Sequence, residues 1–470
     1  MAFDLVFRNA TVIDGTGSEP YAADVAVDGD VIAAIGDVGP ARTDIDATGR
    51  AVCPGFIDIH THDDWALRTD PLLAPKILQG VTTVVTGNCG MSLPSFAGWL
   101  DWLAAAPTAV NVAPLVGHGT IRSNVMGDDV ERPATAAEVA RMFDEVERSL
   151  DAGAFGLSTG LVYEPGRWST RDELFHLMNV VARHGAIHTT HMRSESYELL
   201  ESIGESITMS RETGVRLQIS HLKAIGPENW HKIDDALRMI SAARADGVDV
   251  AADQYPYSRG STLLHQIVSA GAFRGPSVFG HLTGDLVTVA SSPRTPSWEG
   301  RTVADIAAEM GLTDADAADA IVASEGESCA VVTASQSDDN IEKILRQEFV
   351  MIGSDGLPGG SHPHPRLHHT FPRVLGEYSR RRGTVSLVDA VRKMTSMPAD
   401  RMGLVDRGRL SVGFRADIVM FDAQQVGDTG TYEHPTSVPA GIIGTWVRGV
   451  RTTADGRCTG ERPGSVLTPR

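Results

Sequence analysis

Six side chains in this 470-residue sequence are of types that bind metals or move protons, and each stands at the end of an apolar run. His60 and His62 close "GFIDIHTH", Cys89 sits in "VTTVVTGNCG", His191 in "AIHTTHMR", His221 in "RLQISHLK" and Asp355 in "FVMIGSDG". Taken singly, a histidine at a strand end is ordinarily a satisfied polar residue. A lone thiol packs as a small hydrophobe, and an Asp before Gly is a turn residue. Together they mean more. Residues i and i+2 of a strand share a face, so His60 and His62 point the same way; side by side, two imidazoles repel when protonated and are useful when they share a cation. Four imidazoles, a thiol and a carboxylate supply the N, S and O donors that zinc accepts. Gly87 and Gly90 permit a sharp turn around Cys89, and a thiol beside a divalent cation binds as the thiolate. The residue types leave open whether Cys89 ligates or packs under imidazoles that hold the metal without it.

Such a set needs a scaffold that delivers strand ends to one place. Apolar runs with polar or Gly-rich tips recur at 55–62, 81–90, 110–119, 154–161, 186–193, 216–223, 248–257 and 349–356, with helical stretches such as 134–153 and 171–185 between them, each ending in Gly. Eight such units predict an α/β fold, a (β/α)8 TIM-like barrel whose reactive groups lie at the C-terminal strand ends. The gap before the eighth run is long and carries helical segments of its own, so an inserted subdomain is expected at about 275–345. Short alternating strands at 4–14, 24–36, 43–52, 416–422 and 444–457 are too few at either end to form a stable sheet. They predict one small β-sandwich built from residues 1–54 and 412–470, with the barrel occupying 55–411.

A formal net charge of −19, with 42% hydrophobic and 21% charged residues, describes a protein with ample apolar area to bury. It argues against nucleic acid or an anionic membrane as partner, since both need clustered Lys and Arg. Cys53, Cys89, Cys329 and Cys458 lie far apart with no CxxC pairing. No apolar run reaches the roughly 18 residues of a membrane span, and Asp4 and Arg8 interrupt any signal-peptide core, so the expected compartment is the cytoplasm.

The stretches "PGFIDIHTHDD", "GNCG", "STGLVYEPG", "HMRSES", "SHLKAIG", "DQYPYSRGST" and "IGSDGLPGG…HPHPR" resemble the N-acyl-D-amino acid deacylases (D-aminoacylases) of the amidohydrolase superfamily over about residues 1–465. The resemblance implies one tight zinc on Cys89, His191 and His221, and a second, weaker site at His60, His62 and Asp355. It also makes Asp355 the general base and gives Lys223, Tyr255 and Arg366 the substrate carboxylate. The implied substrate is a small N-acyl-D-amino acid, with homo-oligomerisation left open. The fourth run, "AFGLSTGL", has no lysine to bridge two metals as in hydantoinases and dihydroorotases, and Cys89 would replace that bridge. Other readings are hydrolysis of a D-residue dipeptide or cyclic imide, and a non-catalytic scaffold. His118 reads as loop architecture, "HPHPRLHHT" (362–370) as a rigid Pro-punctuated loop, Arg193, Ser194 and Glu195 as shaping the pocket, and the other three cysteines as packing residues.

Overall fold

Eight short parallel strands form the centre of the protein in a computed structural model that describes residues 2–469. They are β1 Phe56–Asp58, β2 Val81–Thr86, β3 Asn111–Pro114 (resumed at Val116–Gly117), β4 Gly156–Gly160, β5 Ile187–His191, β6 Arg216–Ile219, β7 Val250–Gln254 and β8 Val350–Ile352. Each pairs in parallel with the next. The ring closes sparingly: a parallel bridge joins Thr61 to Gly356, and the Asp355 N–H donates to the His60 carbonyl at 2.9 Å. Every residue of these strands is buried except Arg216. Burial on both faces explains why they read as continuous apolar runs rather than alternating ones.

The flanking helices begin and end where their sequences dictate. Thr135 and Glu138 form a capping box for Ala136–Asp151, which buries Met142, Val146 and Leu150; Thr170 caps Arg171–Arg183. Leu199–Thr213 stops at Gly214, whose φ of +73° suits a residue without a Cβ. No helix among the described residues is long and apolar enough to cross a membrane.

Between β7 and β8 the chain makes an antiparallel sheet in which Ala330–Ala334 lies between Arg259–Leu263 and Val287–Ser291. Helices Val303–Met310 and Asp314–Glu325 cover it, and Leu264, Ile267, Val289, Ile306, Ile321 and Val331 make its core. The sheet draws in Arg259–Leu263, upstream of 275. Helix Asp338–Leu345 turns back and buries Ile341, Ile344 and Leu345 with barrel residues.

The terminal strands form one connected nine-stranded sheet. Ala51–Pro54 pairs antiparallel with Ile418–Phe421, which joins the N-terminal strands to the C-terminal ones. Phe7 and Trp446, one from each terminus, meet edge to face at 4.8 Å in its core. One expectation changes: the Pro-rich stretch is a loop only as far as Pro365, and Arg366–Arg373 is a helix. A proline at a helix start costs nothing, because its missing N–H would have no intrahelical partner there.

Candidate metal centre and substrate pocket

The six singled-out side chains converge just beyond the strand ends. Cys89, His221 and Asp355 lie two or three residues past β2, β6 and β8, and all three have left-handed backbones, with φ of 54°, 35° and 48°. Such a conformation costs a residue with a Cβ about 1 kcal/mol, and three at one rim persist only because the surroundings impose them. Glycines make the turn around Cys89 feasible. A Cβ on Gly87 would overlap the Leu115 carbonyl, and one on Gly90 would lie 2.7 Å from the Gly160 nitrogen.

Carboxylates set the imidazole orientations. His60 Nδ1 lies 3.1 Å from Asp253 Oδ1, and His221 Nδ1 lies 2.9 Å from Glu195 Oε1. Each ring therefore turns Nε2 inward, to 3.3 Å and 3.6 Å from Cys89 Sγ. His191, the last residue of β5, stacks edge-on against His221 at 4.3 Å, and its Nε2 lies 3.2 Å from Glu195 Oε2. His62 Nε2 is 3.1 Å from Asp355 Oδ1, and His60 Nε2 is 3.5 Å from the same oxygen. The ligand atoms fall into three overlapping groups: His60, Cys89, His221; His60, His62, Asp355; and His191, Glu195, His221. Imidazoles anchored through Nδ1 on carboxylates, with Nε2 facing a thiol, are arranged as metal ligands are, and the donor set fits zinc.

The electrostatics agree. Burial pushes the Cys89 thiol up, but the His60 charge and hydrogen bonds from His191, His221 and His60 outweigh it and bring the thiol well below its usual range. Burial disfavours the charged His62, yet Asp355 and Cys89 raise it to about 9. For Asp355 burial again opposes ionisation, and Arg366 and His221 overcome it, holding the carboxyl well below the ordinary range. A thiolate and a carboxylate thus face a cluster whose positive charge must come from protons or a cation.

Beside this centre lies a cationic end. Lys223 Nζ is 2.6 Å from Glu195 Oε2, and Arg366 Nη1 is 2.9 Å from Asp355 Oδ2. The Arg366 guanidinium lies over the Tyr255 ring at 4.4 Å, and the buried Tyr255 hydroxyl and Arg366 Nε have no hydrogen-bond partner. These groups, with Ser261 and Thr333, line a small cavity of about 40 Å³. A larger one of about 230 Å³, which shares Ser261 and Asp355 with it, is lined by His62, Trp65, Met91, Leu263, Gln266 and Leu357. Its remaining charged residues are Asp64 and Glu164, both acidic.

All nine sequence-selected residues therefore stand in one region, while His118 does not join them. It opens helix His118–Met126, fully buried, with Nε2 2.9 Å from Glu173 Oε1. Sequence reasoning missed Asp253 and the full part played by Glu195. Asp253 also accepts the His221 N–H at 2.8 Å, and its one visible signal is that it opens "DQYPY".

The Amidohydrolase family model matches residues 44–453. D-aminoacylase of Alcaligenes xylosoxydans xylosoxydans is 40% identical, covering 99% of this chain and 97% of that protein. N-acyl-D-glutamate deacylase of the same organism is also 40% identical, over 99% of this chain and 96% of its own. A crystal structure of N-acyl-D-glutamate deacylase from Bordetella bronchiseptica, complexed with zinc and a phosphonate mimic of the tetrahedral intermediate, superposes with a TM-score of 0.92 at 36% identity, covering 100% of both chains.

Proposed function

The chain belongs to the amidohydrolase family, among its N-acyl-D-amino acid deacylases, and from that premise we propose how its residues divide the work. The protein is a zinc-dependent hydrolase that splits the amide bond of N-acyl-D-amino acids into a carboxylate and a free D-amino acid. Cys89, His191 and His221 hold the tight zinc, and His60, His62 and Asp355 form a weaker second site. The observation that supports a metal centre here is the approach of the His60 and His221 Nε2 atoms to the Cys89 thiol on imidazoles anchored through Nδ1 to carboxylates, while the division into two sites follows the family resemblance. Zinc, when bound, polarises the scissile carbonyl and lowers the pKa of water towards about 7.

Asp355 accepts the proton of the attacking water and returns it to the leaving nitrogen as the C–N bond breaks. Its depressed pKa keeps it ionised for the first task. Arg366, Lys223 and Tyr255 bind the substrate α-carboxylate, the guanidinium through a planar fork, the ammonium as a point charge and the phenol as a neutral donor. The substrate's carboxylate competes with Asp355 for Arg366, so binding frees the base at the moment it is needed. Holding carboxylate and carbonyl fixes the Cα, and only one enantiomer then directs its side chain into the 230 Å³ cavity.

That cavity supports a preference for uncharged side chains. Trp65, Met91, Leu263 and Leu357 give it apolar walls, and no Lys or Arg lines it to pair with a side-chain carboxylate. Turnover of N-acetyl-D-leucine and N-acetyl-D-methionine against N-acetyl-D-aspartate and N-acetyl-D-glutamate tests this. Apolar substrates are expected to lead in kcat/KM by at least tenfold, and preferred turnover of the acidic pair would refute it. We further read the enzyme as cytoplasmic, since all four cysteines are free thiols.

A further inference from the structure

The barrel seam between β1 and β8 carries both His60–His62 and Asp355, yet its backbone closure is limited to one bridge and one hydrogen bond. A fully buried lysine fills the gap. Lys76, on the short helix Ala74–Ile77, places Nζ 2.8 Å from Asp58 Oδ2 on β1, 2.7 Å from Ser354 Oγ beside Asp355, and 3.4 Å from Asp63 Oδ2 beside His62. The other oxygen of Asp58 accepts the Ser354 N–H at 2.8 Å, so lysine and carboxylate grip both the side chain and the backbone of the residue before Asp355. Ser354 Oγ in turn accepts the Gly356 N–H at 3.1 Å, on the other side of Asp355. That grip matters because Asp355 holds a left-handed backbone, with φ of 48°, that a residue with a Cβ does not keep unaided.

The same segment reaches further. Gln79 Nε2 donates to the Leu367 carbonyl at 2.8 Å and Gln79 Oε1 accepts the Phe371 N–H at 3.3 Å, tying it to the helix that begins at Arg366. We propose that Lys76 is a positioning residue for the hydrolytic reaction: through Asp58, Asp63 and Ser354 it fixes the β8 tip against the His60–His62 strand, and so sets where Asp355 stands. Lys76 touches neither the metal ligands nor the substrate pocket. Its ammonium also offsets the burial of two neighbouring carboxyl groups, Asp58 and Asp63, on the strand that carries His60 and His62.

The inference rests on Asp355 carrying the proton. Asp355→Asn tests that separately: normal turnover in that variant would remove the premise rather than the role of Lys76. The experiment measures kcat and KM of zinc-loaded Lys76→Met and Ser354→Ala, each normalised to tightly bound zinc so that misfolded protein does not count. Lys76→Met is expected to lose about 100-fold in kcat, the scale of a misplacement near 1 Å, with KM within about threefold of the parent and one tight zinc retained. Ser354→Ala deletes one arm of the grip without exposing a buried charge, and is expected to lose roughly tenfold in kcat. A kcat per zinc unchanged in Ser354→Ala, whether or not Lys76→Met folds, would overturn the proposal, because a purely structural lysine alters the folded fraction and not the turnover of each zinc-bearing site.

Discussion

Replacing Glu195 with Gln separates the orientation of the metal ligands from the ligands themselves. In the parent, one carboxylate accepts the His221 Nδ1–H at 2.9 Å and pairs with Lys223 Nζ at 2.6 Å, and its second oxygen lies 3.2 Å from His191 Nε2. Lys223, His221 and His191 hold this buried carboxyl well below its usual range despite the opposing effect of burial, so it is the local counter-charge. Gln keeps the shape and removes the charge. A hydrogen bond to a charged group is worth about 1.5–3 kcal/mol net. Taking about 2 kcal/mol at His221 gives zinc roughly 30-fold weaker, inside the 10–100-fold range for losing such an outer partner. Lys223 meanwhile becomes a buried ammonium with no neutralising partner and moves towards Asp355 or the substrate carboxylate, so KM should change even at saturating zinc. Zinc affinity by competition with a chromophoric chelator, and kinetics in zinc excess, read the two effects separately. Affinity within twofold of the parent together with an unchanged KM would refute the assigned role of Glu195.

Three further outcomes are expected. Cys89→Ala should lose the tight zinc on dialysis; full retention of metal and activity would mean the thiol only packs. Asp355→Asn should stay folded and lose kcat by about two to four orders of magnitude, and an unchanged rate would remove it as the base. Arg366→Gln should raise KM and shift the acid limb of kcat/KM to higher pH, because in the free enzyme the guanidinium is the largest influence lowering the Asp355 pKa against burial. The sign for stability is the same. A carboxyl depressed in the folded state stabilises above its unfolded value near 3.8 and loses that contribution as pH falls through the lower folded value, so Arg366→Gln should narrow the acid range in which the fold survives, read by thermal melts from pH 3 to 7.

What the sequence made legible follows from how far each signal is local. The HxH spacing and the GNCG turn are local, since two residues on one strand face and a thiol between glycines declare their geometry within a few positions. Eight apolar runs with polar tips likewise announced the barrel, because buried parallel strands are apolar throughout. Lys76 was silent: "APKILQG" looks like a surface helix, and its buried partners stand 18 and 278 positions away. Asp253 and Glu195 were obscured for the same reason, as each acts on a histidine carried by another strand. The helix at Arg366–Arg373 was hidden by prolines that mark its start as readily as they mark a loop.

The reaction assigned to this site is zinc-dependent hydrolysis selective for the D configuration. Its most direct test is amine release from paired N-acetyl-D- and N-acetyl-L-methionine by zinc-loaded enzyme, repeated after chelation and after zinc is restored. Turnover of the D enantiomer alone, abolished by chelation and recovered with zinc, is the expected result. Equal turnover of both enantiomers, or D turnover that survives complete removal of zinc, would contradict it.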